Sequence, residues 1–211
     1  MPGLDSIVQS LREQLEIKNE VREATFNRSR NLIRLGANSI RAAHRAEFQQ
    51  ARELLQQAGT LASEMCRAVA GHPDLYFAGY TQDALKEYAE ANITYAVITD
   101  EPVPTPEALQ VEPPAYLNGL AEAIGELRRH VLDLIREEKL ARAEQVLAVM
   151  DEAFWLLVTV DFPSAITGDL RRSTDMVRGV LERTRSDLTT AQGSTRLREA
   201  LQQFEERLNG R

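Results

Sequence analysis

Five of the eight prolines in this 211-residue chain fall in one short stretch, at Pro102, Pro104, Pro106, Pro113 and Pro114. Proline lacks a backbone N–H and fixes φ, so residues 100–114 are excluded from a long helix and from a central strand. They form a loop, with room for one short turn at 107–109. On both sides of it apolar residues recur at helical spacing. Ile7, Leu11, Leu15, Val21, Phe26, Ile33 and Ile40 step mostly by three, four or seven. That predicts one amphipathic helix from 4 to about 44, weakened but not ended by Gly36. A second helix is predicted from about 47 to 70, closed by Gly71 with Pro73 beyond it, and a third from about 75 or 81 to 98.

Past the loop, residues 116–136 carry a seam of Leu117, Leu120, Ile124, Leu127, Val131 and Leu134. Residues 140–160 give another helix, with Trp155 in its apolar half, and Asp161-Phe162-Pro163 breaks the chain. The remainder, 164–208, reads as one long polar helix or as a pair divided at Gln192-Gly193-Ser194. No strand-like alternation and no internal repeat is present. The expected fold is an all-α antiparallel bundle of about seven helices in a single domain, 1–211.

Composition narrows the function. With 32 acidic and 25 basic side chains the formal charge is −7, which excludes a uniformly basic nucleic-acid binder but not a local basic patch. The single cysteine, Cys66, forms no intrachain disulfide and supplies no Cys/His zinc site. This fits a reducing cytoplasm. The longest strongly apolar run, 153–160, is far short of the ~20 residues of a membrane span, so a soluble intracellular protein without a membrane partner is expected.

The strongest chemical candidate is Glu87-Tyr88-Ala89-Glu90, two carboxylates about 60° apart on a helix that is apolar nearly all round towards its end. Like charges at the edge of a buried segment repel unless they are solvated, share a proton or bind a cation. The plainer account has both in solvent, with Lys86 paired to Glu90. A second pair, Glu122 and Glu126, sits about 40° apart on the helix after the loop, opposite the Leu117/Ile124/Val131 seam. Solvation is again the plainer account, although the small residues Ala115 and Gly119 on that side leave room for another helix. Two helices each offering a Glu pair is how bundles build carboxylate metal sites. Oxygen-only donors favour Mg²⁺ or Mn²⁺ over zinc.

A third feature is electrostatic. Residues 25–45 contain no acid, yet Arg30, Arg34, Arg41 and Arg45 fall within about 60° of one another on a helix. Such a stripe suits either a nucleic-acid backbone or a salt-bridge face between helices or subunits. Asp151-Glu152 read as surface acids and Cys66 as a small core residue. His44, His72 and His130 are scattered, and no serine stands in a nucleophile-elbow or phosphate-loop context.

Two segments carry a resemblance. Residues 111–128, VEPPAYLNGLAEAIGELR, are similar to the V-x-P-x-D-Y-L-x-G and G-E-L-x-R stretch of the translin family, and residues 84–91, ALKEYAEA, are similar to the L-Q-E-Y-V-E-A helix of its trax-like members. Their order and separation also match, so the resemblance spans most of the chain. It implies a metal-dependent endoribonuclease that cleaves single-stranded RNA, with single-stranded DNA as a further ligand. It also implies an acidic site whose glutamates fall on Glu87, Glu90 and Glu126. The family's aspartate, four residues before the last of these, falls on Glu122, one methylene longer. The resemblance implies Mg²⁺ or Mn²⁺ held by these four carboxylates and RNA held along the arginine stripe. It further implies a hollow oligomer of about eight subunits, formed alone in a compact prokaryotic-type member or with a translin-like partner. Competing accounts are a non-catalytic nucleic-acid binder of the same fold and an all-α nucleotide pyrophosphohydrolase, whose second motif would be Glu-x-x-Asp. A structural helical oligomer with solvated glutamates is the third.

Overall fold

The computed structural model describes residues 3–209. These form nine helices and no strand: α1 (Leu4–His44), α2 (Phe48–Ala68), α3 (Pro73–Tyr76), α4 (Gly79–Thr99), α5 (Pro106–Leu109), α6 (Pro113–Arg136), α7 (Leu140–Val158), α8 (Ser164–Thr167) and α9 (Leu170–Asn209). Three are single turns, which leaves six long helices. The prolines act as start signals. Pro113 and Pro114 occupy the first turn of α6 and Pro106 that of α5, positions whose N–H groups have no partner within the helix. The Thr105 hydroxyl caps α5 by accepting from the Ala108 N–H at 3.2 Å.

Pairwise contacts fix the directions. Lys18 pairs with Asp74, Phe26 packs edge-on against Tyr80, and Gly36 faces Glu87 and Ala91, so α1 and α4 run parallel. Between them α2 runs the other way, with Arg52 on Tyr95 and Gly59 against Tyr88. In the second half, α7 opposes α6, and α9 opposes α7 through Arg185–Asp151 at 2.6 Å and Gln192–Glu144. The chain is thus two up-down-up trios, α1–α2–α4 and α6–α7–α9. Each is antiparallel within itself.

The trios meet along α4 and α6, and these two helices run parallel. Ahead of both, the Tyr76 hydroxyl donates to Glu112 at 3.0 Å. Midway, Gly119 faces Lys86, Ala89 and Glu90. Just past the end of α6, Arg142 donates to the Val97 carbonyl at 2.8 Å, near the end of α4. Residues 100–112 are therefore a return crossover running back along α4, whose 21 residues span about 31 Å. Two apolar clusters share these central helices. One gathers Leu32, Met65, Leu85 and Ile93, and the other Ile124, Val131, Met150 and Leu157. Burial of α4 on almost every side matches its all-round apolar sequence.

Two alternatives left by the sequence are decided. Of the two starts for the third helix, the later is nearer: α4 begins at Gly79, and Pro73–Tyr76 form the separate turn α3. Of the two forms for the last stretch, the single long helix holds, and it does not divide at Gln192-Gly193-Ser194. It is continuous to Asn209, and the break lies at Gly168, where φ of +59° suits a residue without a Cβ. Exposed Gly193 meets nothing within 4 Å, so its cost is only the about 1 kcal/mol of helix propensity, small in a 40-residue helix.

The start of α1 and the end of α9 project. Leu4, Ile7, Val8, Leu11 and Leu15 on α1 are exposed, as are Leu197, Leu201, Phe204 and Leu208 on α9, at opposite ends of the bundle. The chain exposes 13040 Å²; a compact monomer of 23.7 kDa exposes about 9,800 Å² by size scaling. Among the described residues no helix is long and apolar enough to cross a membrane.

Candidate metal centre

The junction of the two trios is made close by glycine. A Cβ on Gly119 would lie 2.7 Å from the Lys86 carbonyl oxygen and 3.1 Å from the Ala89 Cβ, so only a bare Cα lets α6 approach α4 here. On the other side of α4, a Cβ on Gly36 would lie 3.3 Å from the Glu87 carbonyl oxygen. Three helix backbones therefore converge on the turn that carries Glu87 and Glu90.

Because α4 and α6 are parallel and close, the Glu87/Glu90 pair meets Glu122 of the second pair. One carboxylate oxygen each from Glu87, Glu90 and Glu122 lies within 4.8 Å of the others. Glu90 is buried at 8% exposure, whereas Glu87 and Glu122 are half-buried. Burial, and then the charges of Glu87, Glu122 and Glu126, push the Glu90 carboxyl up to about 8. Glu87 is also raised, chiefly by burial.

Lys86 provides the local counter-charge. Its ammonium lies 2.6 Å from Glu122 and 3.4 Å from Glu87, rather than on Glu90 as the i,i+4 spacing suggested. Burial works against the lysine's charge, but its two carboxylate partners outweigh it and lift its pKa.

Glu126 does not join the cluster of three. Its Oε2 lies 2.7 Å from Nε2 of His44, whose side chain is 2% exposed. The hydrogen bond to His44 lowers the Glu126 pKa against the opposing effect of burial, helped by His44, Arg129 and Arg41 charges. The other ring nitrogen, Nδ1 of His44, is buried without a partner, and the ring of His130 lies 6.5 Å away. Sequence reasoning missed both Lys86 and His44 as site residues. The available signal for His44 was its place between buried Ala42-Ala43 and Arg45 at the end of the acid-free stretch.

All four arginines of the stripe are exposed, Arg30, Arg34 and Arg41 on α1 and Arg45 just past its end. Arg34 and Arg41 donate to Asn31 and Asn38 on their own helix, and Arg45 pairs with Glu47 at 2.7 Å. No salt bridge to Arg30, Arg34 or Arg41 occurs among the described residues, which removes the interhelical ion-pair account within one chain. The charge of Arg41 acts on Glu126, so this end of the stripe reaches the site. Elsewhere, Asp151 pairs with Arg185 as a surface acid, and partly buried Cys66 has its pKa raised by burial, the opposite of an activated thiol.

An all-oxygen donor set with an uncompensated buried carboxylate fits a hard divalent cation. Glu87, Glu90 and Glu122 are the residues placed to hold one.

No family profile matches the chain. An uncharacterized protein of Methanocaldococcus jannaschii is 30% identical over 191 residues, 89% of this chain and 84% of its own length. Among solved structures, a complex of AfC3PO with duplex RNA is similar at 33% identity and a TM-score of 0.82, covering 89% of this chain and 97% of that one. The crystal structure of AfC3PO gives 30% and 0.81, with the same coverage. Apo-NeC3PO, at 21% identity, TM-score 0.80, and coverage of 90% and 98%, shares the fold.

Proposed function

As the chain belongs to the translin (C3PO) family, we propose that it is a trax-like, metal-dependent endoribonuclease acting on single-stranded RNA. The observation that carries this reading is the convergence of Glu87, Glu90 and Glu122 at the α4–α6 junction. These three would hold Mg²⁺ or Mn²⁺, with Glu126 as the fourth carboxylate one helical turn further on. Such a cation, when bound, polarises a phosphoryl oxygen and lowers the pKa of a coordinated water.

The chain's own residues do the rest. Glu90 would hold a cation as its carboxylate, and Lys86 offsets the charge of Glu122 and Glu87 beside it. Arg30, Arg34 and Arg41 hold the RNA backbone, and Arg41 does so beside Glu126. Arg45, already paired with Glu47, contributes less. The duplex RNA bound by the AfC3PO complex makes RNA the natural ligand class to test here.

The protein works as an oligomer in the cytoplasm, built from copies of this chain alone or together with a translin-like partner subunit. Support comes from the two exposed apolar arms, which project so far that the chain exposes about 3,200 Å² more than a compact monomer of its size. An octamer is the arrangement proposed.

A second reading, an RNA binder without catalysis, draws on Lys86, whose ammonium already neutralises two of the carboxylates. Cleavage of a labelled single-stranded RNA in Mn²⁺, beside a duplex of the same sequence and a Glu126→Ala variant, separates the two. Cleavage by the wild type and its loss in the variant are expected. Binding without cleavage by either protein removes the nuclease reading, and equal cleavage by both removes Glu126 from the proposed site.

A further inference from the structure

Beside the carboxylates, a groove of about 530 Å³ runs along the seam of α4 and α6 towards their N-termini. Lys86 and Glu122 form one end of it, and Phe77 and Ile166 stand further along its walls. The groove thus shares two residues with the carboxylate cluster. The concavities lined by Tyr88 and Tyr95, and by Phe154 and Trp155, share none.

Phe77 has an unusual placement. It sits at the break between α3 and α4, where the chain leaves helical geometry, and the residue is 64% exposed. Its orientation is held by an edge-on contact with Tyr76 at 4.9 Å between centroids, and Tyr76 is itself tied to Glu112 by its hydroxyl. Ile166, 60% exposed on α8, lines the same groove. The floor is rigid. Asn118 donates to the Thr167 carbonyl at 2.7 Å and accepts from Ser173 at 2.9 Å, which binds α8 and the start of α9 to α6. An exposed aromatic ring and an exposed aliphatic side chain line one groove that leads to Lys86 and the acids Asp83, Glu112 and Glu122, a slot for a flat apolar ring whose attached phosphate the ammonium, or a cation on the carboxylate cluster, would hold.

We propose that this groove is a nucleobase subsite, in which Phe77 stacks on the base of a nucleotide flanking the scissile phosphate. The inference rests on the ribonuclease reading, since it takes the carboxylates as the place where the phosphodiester lies. The volume lies within the about 300–1,000 Å³ typical of small-molecule sites, enough for one nucleoside. Stacking on an aromatic ring is tolerant of base identity, so the subsite positions the strand without reading its sequence. It makes Phe77 a substrate-binding residue and sets which bond reaches the acids.

The test is a coupling measurement. A seven-nucleotide single-stranded RNA is prepared intact and with one abasic residue walked along it. Binding to each strand is measured by fluorescence anisotropy in a Glu90→Gln background, so that the strand survives, with and without Phe77→Ala or Phe77→Trp. Phe77→Ala is expected to weaken binding of the intact strand by about tenfold, the scale of one lost stacking contact. On the strand lacking the base at one particular position it should cost nothing further, and Phe77→Trp should retain tight binding throughout.

Equal losses on intact and abasic strands at every position overturn the subsite. So does a Phe77→Ala variant whose defect is a changed oligomeric state by sedimentation, because the ring would then be covered by a second copy. Cleavage by otherwise wild-type protein is recorded in parallel. Cleavage without coupling removes the subsite alone, and coupling without cleavage removes the nuclease reading alone. Absence of RNA binding removes both.

Discussion

His44 on α1 holds Glu126 on α6 at 2.7 Å across 82 residues of sequence, and so fixes the orientation of that carboxylate one helical turn beyond Glu122. Carboxylates that ligate a metal are commonly oriented by a hydrogen bond from a neighbouring group. His44→Ala is therefore expected to weaken Mn²⁺ binding by about 10–100-fold, and His44→Gln, which keeps a donor, to recover part of the loss. Calorimetric titration with Mn²⁺ alone measures this without any nucleic acid. Unchanged affinity in both variants would show that Glu126 is oriented without the ring.

The proton on Glu90 gives the metal-free protein a pH dependence of definite sign. Its carboxyl titrates at about 8 in the fold against 4.5 in an ordinary glutamate, chiefly through burial. Between these values the folded state retains a proton that the unfolded chain has released, so stability falls as pH rises from about 4.5 through about 8. Glu90→Gln should flatten that slope. Thermal melts in chelator at pH 5 and pH 9 are expected to show the variant gaining on the wild type only at the higher pH. Added Mn²⁺ at pH 9 should raise the Tm of the wild type alone.

Gly119 and Gly125 lie on the same helix and predict opposite outcomes for the same substitution. Gly119→Ala places a Cβ against the backbone of Lys86 and should destabilise by about 1–3 kcal/mol through overpacking, loosening the site as α6 is pushed off α4. Gly125 meets nothing within 4 Å, so Gly125→Ala should stabilise by up to about 1 kcal/mol through helix propensity. Urea unfolding of the two variants gives both numbers.

The arginine stripe makes a prediction graded along α1. Arg30→Ala, Arg34→Ala and Arg41→Ala should each weaken RNA binding and reduce the dependence of log K on log salt by about 0.7 per lost phosphate contact. Arg45→Ala should do so least, because Glu47 already engages its guanidinium. A stripe that served only to hold subunits together would leave the salt slope of RNA binding unchanged.

The bounds of α1 were legible because forty residues of regular apolar spacing contain no proline and one glycine, and that glycine packs against α4 instead of breaking the helix. The two Glu pairs were legible from spacing, and their convergence was hinted at by Gly119 and Ala115. The parallel course of α4 and α6 was not. Proline marks where a helix must stop, but nothing in 100–112 says whether the chain turns back at once or travels the length of a helix first. Lys86 was misjudged for a related reason. Local spacing offers Glu90 as a partner, whereas the ammonium turns to Glu122, which only the tertiary fold brings near. His44–Glu126 is likewise invisible to any rule of local periodicity.

The proline crossover has a consequence for how the acids are owned. It joins two three-helix hairpins, and each brings one pair of glutamates to the shared seam. A nick within 100–104 would yield two polypeptides with half a site apiece, so any activity recovered on mixing them would count reunited halves directly. The centre is, in effect, a seam between two pieces, and its formation reports that the pieces have docked.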